Sequence, residues 1–193
     1  MDQDAFWELI DRSREHSPSP EARVAWLQDA LARRPLADVA GFQICQDRTR
    51  LRSDTYALWG AAYQIMDGLC SMDGFWYFQP WLIGLGRDVF ERVTENPDVL
   101  ADVPEVRRLA GHPMSDWPDD HFPEWESFNY IAPQVYEQLT GTEDGLDDAL
   151  RAQGHKTPYD TAPVDSGWDF ENPAELARRL PRLSALFPLT ERA

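Results

Sequence analysis

The stretch from Cys70 to Leu100 constrains this chain more than any other. Phe75, Phe78, Leu82, Leu85 and Val89 recur at spacings of three and four, which is one face of an α-helix. Trp76, Tyr77, Trp81, Ile83 and Phe90 lie off that stripe. A helix apolar around most of its girth needs cover on several sides. The reading is a central apolar helix near residues 72–95, with Trp81 and Leu82 both in its core and Asn96-Pro97 as its stop. Pro80 leaves two alternatives open. It kinks the helix by removing a hydrogen bond, or it starts the helix and leaves Gly74 to Phe78 as an ordered aromatic turn. Gly84 and Gly86 are read as points of close packing, because a lone GxG with no preceding strand is a weak phosphate-binding signal.

The other segments supply the cover. Asp2 and Asp4 open an amphipathic helix over 2–15 carrying Phe6, Leu9 and Ile10. Ser19 caps a second helix with Pro20 at its first position. A third runs from Pro35 to about Arg50, with Leu36, Val39, Phe42 and Cys45 inward. Ser53 or Asp54 caps a fourth, and Ser71 or Asp73 caps the central one. Residues 123–140 return to helix, 142–151 form a short acidic helix, and 153–167 are a turn-rich surface excursion. Trp168 and Phe170 re-anchor the chain, and helix from Pro173 caps the core. No strand-length alternation occurs. At 193 residues the chain supports one core rather than two. The expectation is a single compact all-α domain, 1–193, of about seven or eight helices.

Charge narrows the partners. The formal net charge is −16, which opposes direct nucleic-acid binding and docking on anionic lipid. No apolar run is long enough to span a membrane, and no signal peptide stands at the start. Cys45 and Cys70 lack metal-ligand spacing and read as reduced, buried thiols of a cytoplasmic protein. From Leu109 to Leu150 there are ten Asp or Glu and no Lys or Arg, so this span carries −10 of the −16.

Chemistry-bearing residues concentrate in the loop 111–126. His112, Asp116, Asp120, His121 and Glu124 offer imidazole and carboxylate groups that suit a divalent metal or an acid–base pair. Their spacing matches no HExxH or EF-hand pattern, and the competing reading is a solvated acidic loop pinned by Trp117 and Trp125. Arg87, on an apolar helix, requires a carboxylate or carbonyl partner. Asp73 is one candidate, making the pair either a structural ion pair or a ligand site. No cofactor is implied beyond that possible metal.

Cys70-Ser71-Met72-Asp73-Gly74-Phe75, then Phe78, Trp81-Leu82-Ile83, Gly86-Arg87 and Pro97-Asp98 form a motif. Around it stand Phe6-Trp7, Leu58-Trp59-Gly60-Ala61-Ala62-Tyr63, Phe128-Asn129-Tyr130-Ile131-Ala132-Pro133, Tyr136 and Trp168-Asp169-Phe170. Together these resemble the bacterial DUF4240 family, whose function is unknown. The resemblance implies a shared fold and no catalytic assignment. Two functions stay open: a non-enzymatic interaction or regulatory module that presents an acidic surface to a basic protein, or a small metal-dependent or acid–base enzyme working from the His112–Glu126 loop.

Overall fold

Oxygen-bearing side chains of the preceding residue cap five of the described α-helices. In the computed structural model, which describes residues 1–156, 158 and 163–189, Asp2 accepts from the Ala5 amide at 2.9 Å and opens α1 (Gln3–His16). Ser19 opens α2 (Pro20–Ala32), and Ser71 accepts from the Gly74 amide to open α5 (Met72–Gly84). Each satisfies one of the amides a helix leaves unpaired at its start. Between them, α3 (Leu36–Ser53) takes up Ser53, so Thr55 rather than Ser53 or Asp54 caps α4 (Tyr56–Ile65). The chain continues through α6 (Arg87–Glu95), α7 (Pro104–Arg107), α8 (Ile131–Thr140), α9 (Gly145–Ala152), α10 (Pro173–Arg179) and α11 (Pro181–Leu186). Short 3-10 turns occupy Pro97–Asp102, Met114–Asp116, Asp119–His121 and Glu126–Tyr130. Among the described residues no strand is present, and the fold is a single all-α domain.

The expected helix over 72–95 is two helices. Gly86 breaks it with φ +92°, a backbone conformation open to glycine. Space enforces the same choice, since a Cβ there would stand 2.5 Å from Arg14 Nη1 and 2.6 Å from Asp11 Oδ1. Pro80 lies inside α5 rather than at its start, leaving the Trp76 carbonyl without its usual helical partner. Leu82 is fully buried, whereas Trp81 is only half-buried. The helices are also shorter and more numerous than expected. Besides the break at Gly86, Pro181 divides the last one. Likewise, Pro133 falls in the first turn of α8, where a missing N–H costs little, and the turn before it is 3-10.

Two helices run through the middle. α5 touches α1, α3, α4 and α6. α3 touches α1, α2, α5, α8 and α9, and is buried nearly all round. Its buried residues include Val39, Phe42 and Cys45 but also Gln43, Gln46, Asp47, Thr49 and Arg50. α8 lies along α2 and α3. One continuous hydrophobic cluster extends from Phe6 to Phe187.

The C-terminal region is tied in by carboxylates acting at a distance. Asp98 accepts from the Arg182 and Leu183 amides at the start of α11, at 3.0–3.2 Å. Asp165 accepts from the Tyr56 and Ala57 amides at the start of α4. Trp168 fills the space a side chain at Gly60 would occupy, and Phe170 packs on Trp59 and Tyr63. The excursion expected at 153–167 falls partly on 157 and 159–162, which lie outside the described residues. Its described remainder is held by the Val164 amide donating to the Asp54 carbonyl at 2.9 Å. Among the described residues no helix is long and apolar enough to cross a membrane.

Candidate functional site

The loop 111–126 is pinned by its two tryptophans. Trp117 is buried and its indole N–H donates to the His112 carbonyl at 3.1 Å. Trp125 is buried too, and its backbone amide donates to the Tyr77 carbonyl of α5 at 2.9 Å. His112, Asp116, Asp120 and Glu124 lie at the surface, with His121 half-buried. Among the described residues no three His, Cys, Asp or Glu side chains converge as a metal site would require.

What the loop builds is a groove of about 700 Å³, running along α2, the end of α5 and the 119–127 segment. Arg23 anchors one side. Its guanidinium lies 4.4 Å from the centroid of the Trp125 ring, and its Nη2 donates to the Gly84 carbonyl at 2.9 Å. Burial and the neighbouring charge of Arg14 push the Arg23 guanidinium down to about 10, which leaves it charged at neutral pH. In the same groove, Glu126 accepts from the Tyr77 hydroxyl at 3.2 Å and from the Tyr130 hydroxyl at 3.3 Å. Loss of hydration, and then the charge of Glu126, raise the Glu124 carboxyl above its ordinary value. No cation stands within ion-pair distance of Glu124 or Glu126 among the described residues.

The same imbalance holds along the whole acidic span. All ten carboxylates between 109 and 150 are exposed. Among the described residues only Asp148 forms a salt bridge, with Arg151 at 2.6 Å. Elsewhere acids find bases: Glu91 with Arg52, Asp102 with Arg182, Glu175 with Arg178 and Arg179.

Arg87 takes a partner other than Asp73. Its Nη1 meets Asp4 Oδ1 at 2.7 Å on the exposed side of α1, because the turn at Gly86 aims the start of α6 toward that helix. Asp73 is exposed and lies at the mouth of a different cleft. A functional role for Arg87 and Asp73 as a pair therefore loses its geometric basis.

That second cleft, of about 470 Å³, opens between α3, α5, α8 and α9. Its floor is a polar stripe of α3, Gln43, Gln46, Asp47 and Arg50, spaced i, i+3, i+4, i+7 on one face. Gln43 Nε2 donates to Asp47 Oδ1 at 2.9 Å, and His155 Nε2 lies 2.7 Å from Asp47 Oδ2. Burial pushes the Asp47 carboxyl up, against the opposing pull of His155, Gln43 and Arg50. Arg50 lies over the Trp76 ring, 3.2 Å from its centroid, and donates to the Pro158 carbonyl. Gln46 Nε2 donates to Asn129 Oδ1 at 3.3 Å. Trp76, Tyr77 and Tyr130 form the walls. The inward face read from the sequence, Leu36, Val39, Phe42 and Cys45, leaves this polar stripe unassigned. The one available signal was that its first members are neutral amides, where solvent-facing stripes favour charge.

A family model described as "Protein of unknown function (DUF4240)" matches residues 1–138. No curated protein and no solved structure matches the chain. The match takes in both clefts except for the part that α9 and His155 contribute, and the chain belongs to the DUF4240 family.

Proposed function

We propose that this DUF4240 protein is a non-enzymatic, cytoplasmic interaction module that receives a basic segment of a partner protein on its acidic face. The observation that carries this reading is the set of nine exposed carboxylates between 109 and 150 that make no ion pair among the described residues, with Glu124 and Glu126 side by side in a groove. Unpaired like charges repel and lower stability. A Lys or Arg side chain entering beside Glu124 relieves that repulsion, and the aromatic rings of Trp81, Phe122 and Tyr130 in the same groove suit its aliphatic stem and its charge. The same field disfavours nucleic acid as a direct ligand. The alternative is a metal-dependent or acid–base enzyme using His112, Asp116, Asp120 and His121; among the described residues no three metal donors converge to support its metal-dependent form.

The test is association of a short Lys- and Arg-rich peptide, followed kinetically at rising ionic strength. Binding should slow steeply with salt, since the screening length falls to about 8 Å at physiological ionic strength. Neutralising Asp116, Asp119, Asp120 and Glu124 to Asn and Gln should slow association strongly. A charge-matched control that neutralises Glu15, Asp88, Glu95 and Glu171, all exposed, should change it little. Equal effects of the two quadruple variants would reduce the attraction to net charge and remove this face as a recognition site.

A further inference from the structure

The cleft between α3, α5, α8 and α9 is concave, aromatic and unevenly charged. Trp76, Tyr77 and Tyr130 line it, and Met72, 71% exposed, stands at its rim. Charge at the floor is balanced, because Arg50 acts on the Asp47 carboxyl one turn away on α3 and both are buried. Charge at the mouth is not. Asp73 and Asp147 are exposed there, and neither forms an ion pair among the described residues. Glu126 adds a further carboxylate alongside, accepting from the Tyr77 and Tyr130 hydroxyls. Donation to a carboxylate polarises each phenol and leaves its ring richer in electrons. An electron-rich ring face attracts cations.

We infer that this cleft is a guanidinium site, and that it takes the side chain of an arginine in the partner's basic segment. A volume of about 470 Å³ falls in the range of small-molecule sites and admits the alkyl stem along with the charge. The chemistry selects guanidinium among cations. Its flat face stacks on aromatic rings, its in-plane N–H groups match carboxylates, and it gives up water more readily than an ammonium. The cleft presents rings and carboxylates together, so a guanidinium uses both. A quaternary ammonium has no N–H for Asp73 or Asp147, and a lysine ammonium pays more to leave water. The fold uses the same pairing internally, with Arg50 over Trp76 and Arg23 over Trp125. The source follows from adjacency. Tyr130 lines both this cleft and the acidic groove, and Glu126 of the groove bonds Tyr77 of the cleft, so a segment seated in the groove passes the cleft's mouth. The arginine source rests on the proposed function, whereas the guanidinium site itself does not.

The experiment compares two short peptides of one sequence on the whole chain, by calorimetry, with the basic positions all arginine or all lysine. The arginine peptide should bind about 10-fold more tightly, the equivalent of about 1.4 kcal/mol. Asp73→Asn combined with Asp147→Asn should remove that preference. Neutralising Asp116, Asp119, Asp120 and Glu124 should instead weaken both peptides and keep their ratio. Equal binding of the two peptides by the unmodified protein, or a preference that survives the double substitution, would overturn the inference and leave the acidic groove standing. If neither peptide binds, the groove reading falls and butylguanidinium against butylammonium decides the cleft alone. Saturable binding of butylguanidinium, stronger than that of butylammonium and lost in the double variant, supports the guanidinium site. No such binding overturns it. The comparisons on the unmodified protein stand as tests even if the double variant does not fold.

Discussion

Gly84 of α5 lies flat against the indole of Trp125, so close that a Cβ on Gly84 would stand 2.7 Å from ring carbons Cε3 and Cζ3. The opposite requirement comes from Arg23, which covers Trp125 with its guanidinium and donates to the Gly84 carbonyl. Helix, ring and guanidinium thus lock together three segments far apart in sequence. The groove that Glu124 and Glu126 line owes its shape to this contact.

Gly84→Ala should cost about 1–3 kcal/mol, because an added methyl group in a filled space forces ring or backbone to move. The gain in helix propensity, about 1 kcal/mol, works against that loss without removing it. Chemical denaturation measures the difference, and a variant more stable than the parent would mean that Trp125 moves aside freely.

Leu82→Ala and Trp81→Ala should separate, although the two residues are adjacent on an apolar stretch. Leu82 is fully buried, so truncation should cost about 2–5 kcal/mol through the cavity it leaves. Trp81 lines the groove and keeps part of its surface in water, so its truncation should cost less and should instead alter the groove. Equal losses in thermal melting would place Trp81 in the core after all.

How much of this was legible depends on how local the cause is. Caps at Asp2, Ser19 and Ser71, close packing at Gly84 and Gly86, and re-anchoring at Trp168 and Phe170 are decided within a few residues or by bulk, and the sequence displays them. The break at Gly86 is set by Arg14 and Asp11, some seventy positions earlier, so the periodicity of 72–95 ran through it unmarked. The cleft was hidden for the same reason. A stripe at Gln43, Gln46, Asp47 and Arg50 is indistinguishable from a wet helix face until Asn129, 83 residues away, and His155, 108 residues away, close over it. Conversely, the loop 111–126 drew attention by composition alone, and among the described residues no three of its donors converge as a metal site requires.

Cys70 should be nearly inert in the folded protein. Burial, reinforced by the negative charge of Glu124, pushes its thiol up to about 12, and the thiolate is the reactive form. Alkylation at mildly alkaline pH, mapped by mass spectrometry, should label Cys70 far more slowly than in the unfolded chain. Glu124→Gln should speed labelling only slightly, because burial is the larger cause. Rapid labelling of the native protein would show that the start of α5 opens readily.

The last prediction concerns Asp47, 1% exposed, and the imidazole 2.7 Å from its Oδ2. Burial holds the Asp47 carboxyl above its ordinary value, and His155 is foremost among the groups pulling it back down. The sign follows from linkage. A carboxyl raised by folding favours the folded state fully at low pH, where it is protonated in both states, and that contribution is lost as pH rises through the raised folded value. His155→Ala removes a downward pull, so the ionised carboxylate of the folded protein loses its closest partner at neutral pH. An unsatisfied buried group of this kind costs about 1–3 kcal/mol. The deficit should shrink in mild acid, because a protonated Asp47 no longer needs the imidazole to offset a buried charge. Urea denaturation of parent and variant at neutral and acidic pH measures both deficits. Adding Asp47→Asn to the variant should recover part of the loss at neutral pH, since a neutral amide replaces the stranded charge while Gln43 keeps an oxygen to donate to. A deficit independent of pH, and unrelieved by Asp47→Asn, would mean that His155 acts through packing alone and that the floor of the cleft tolerates an unpartnered carboxylate.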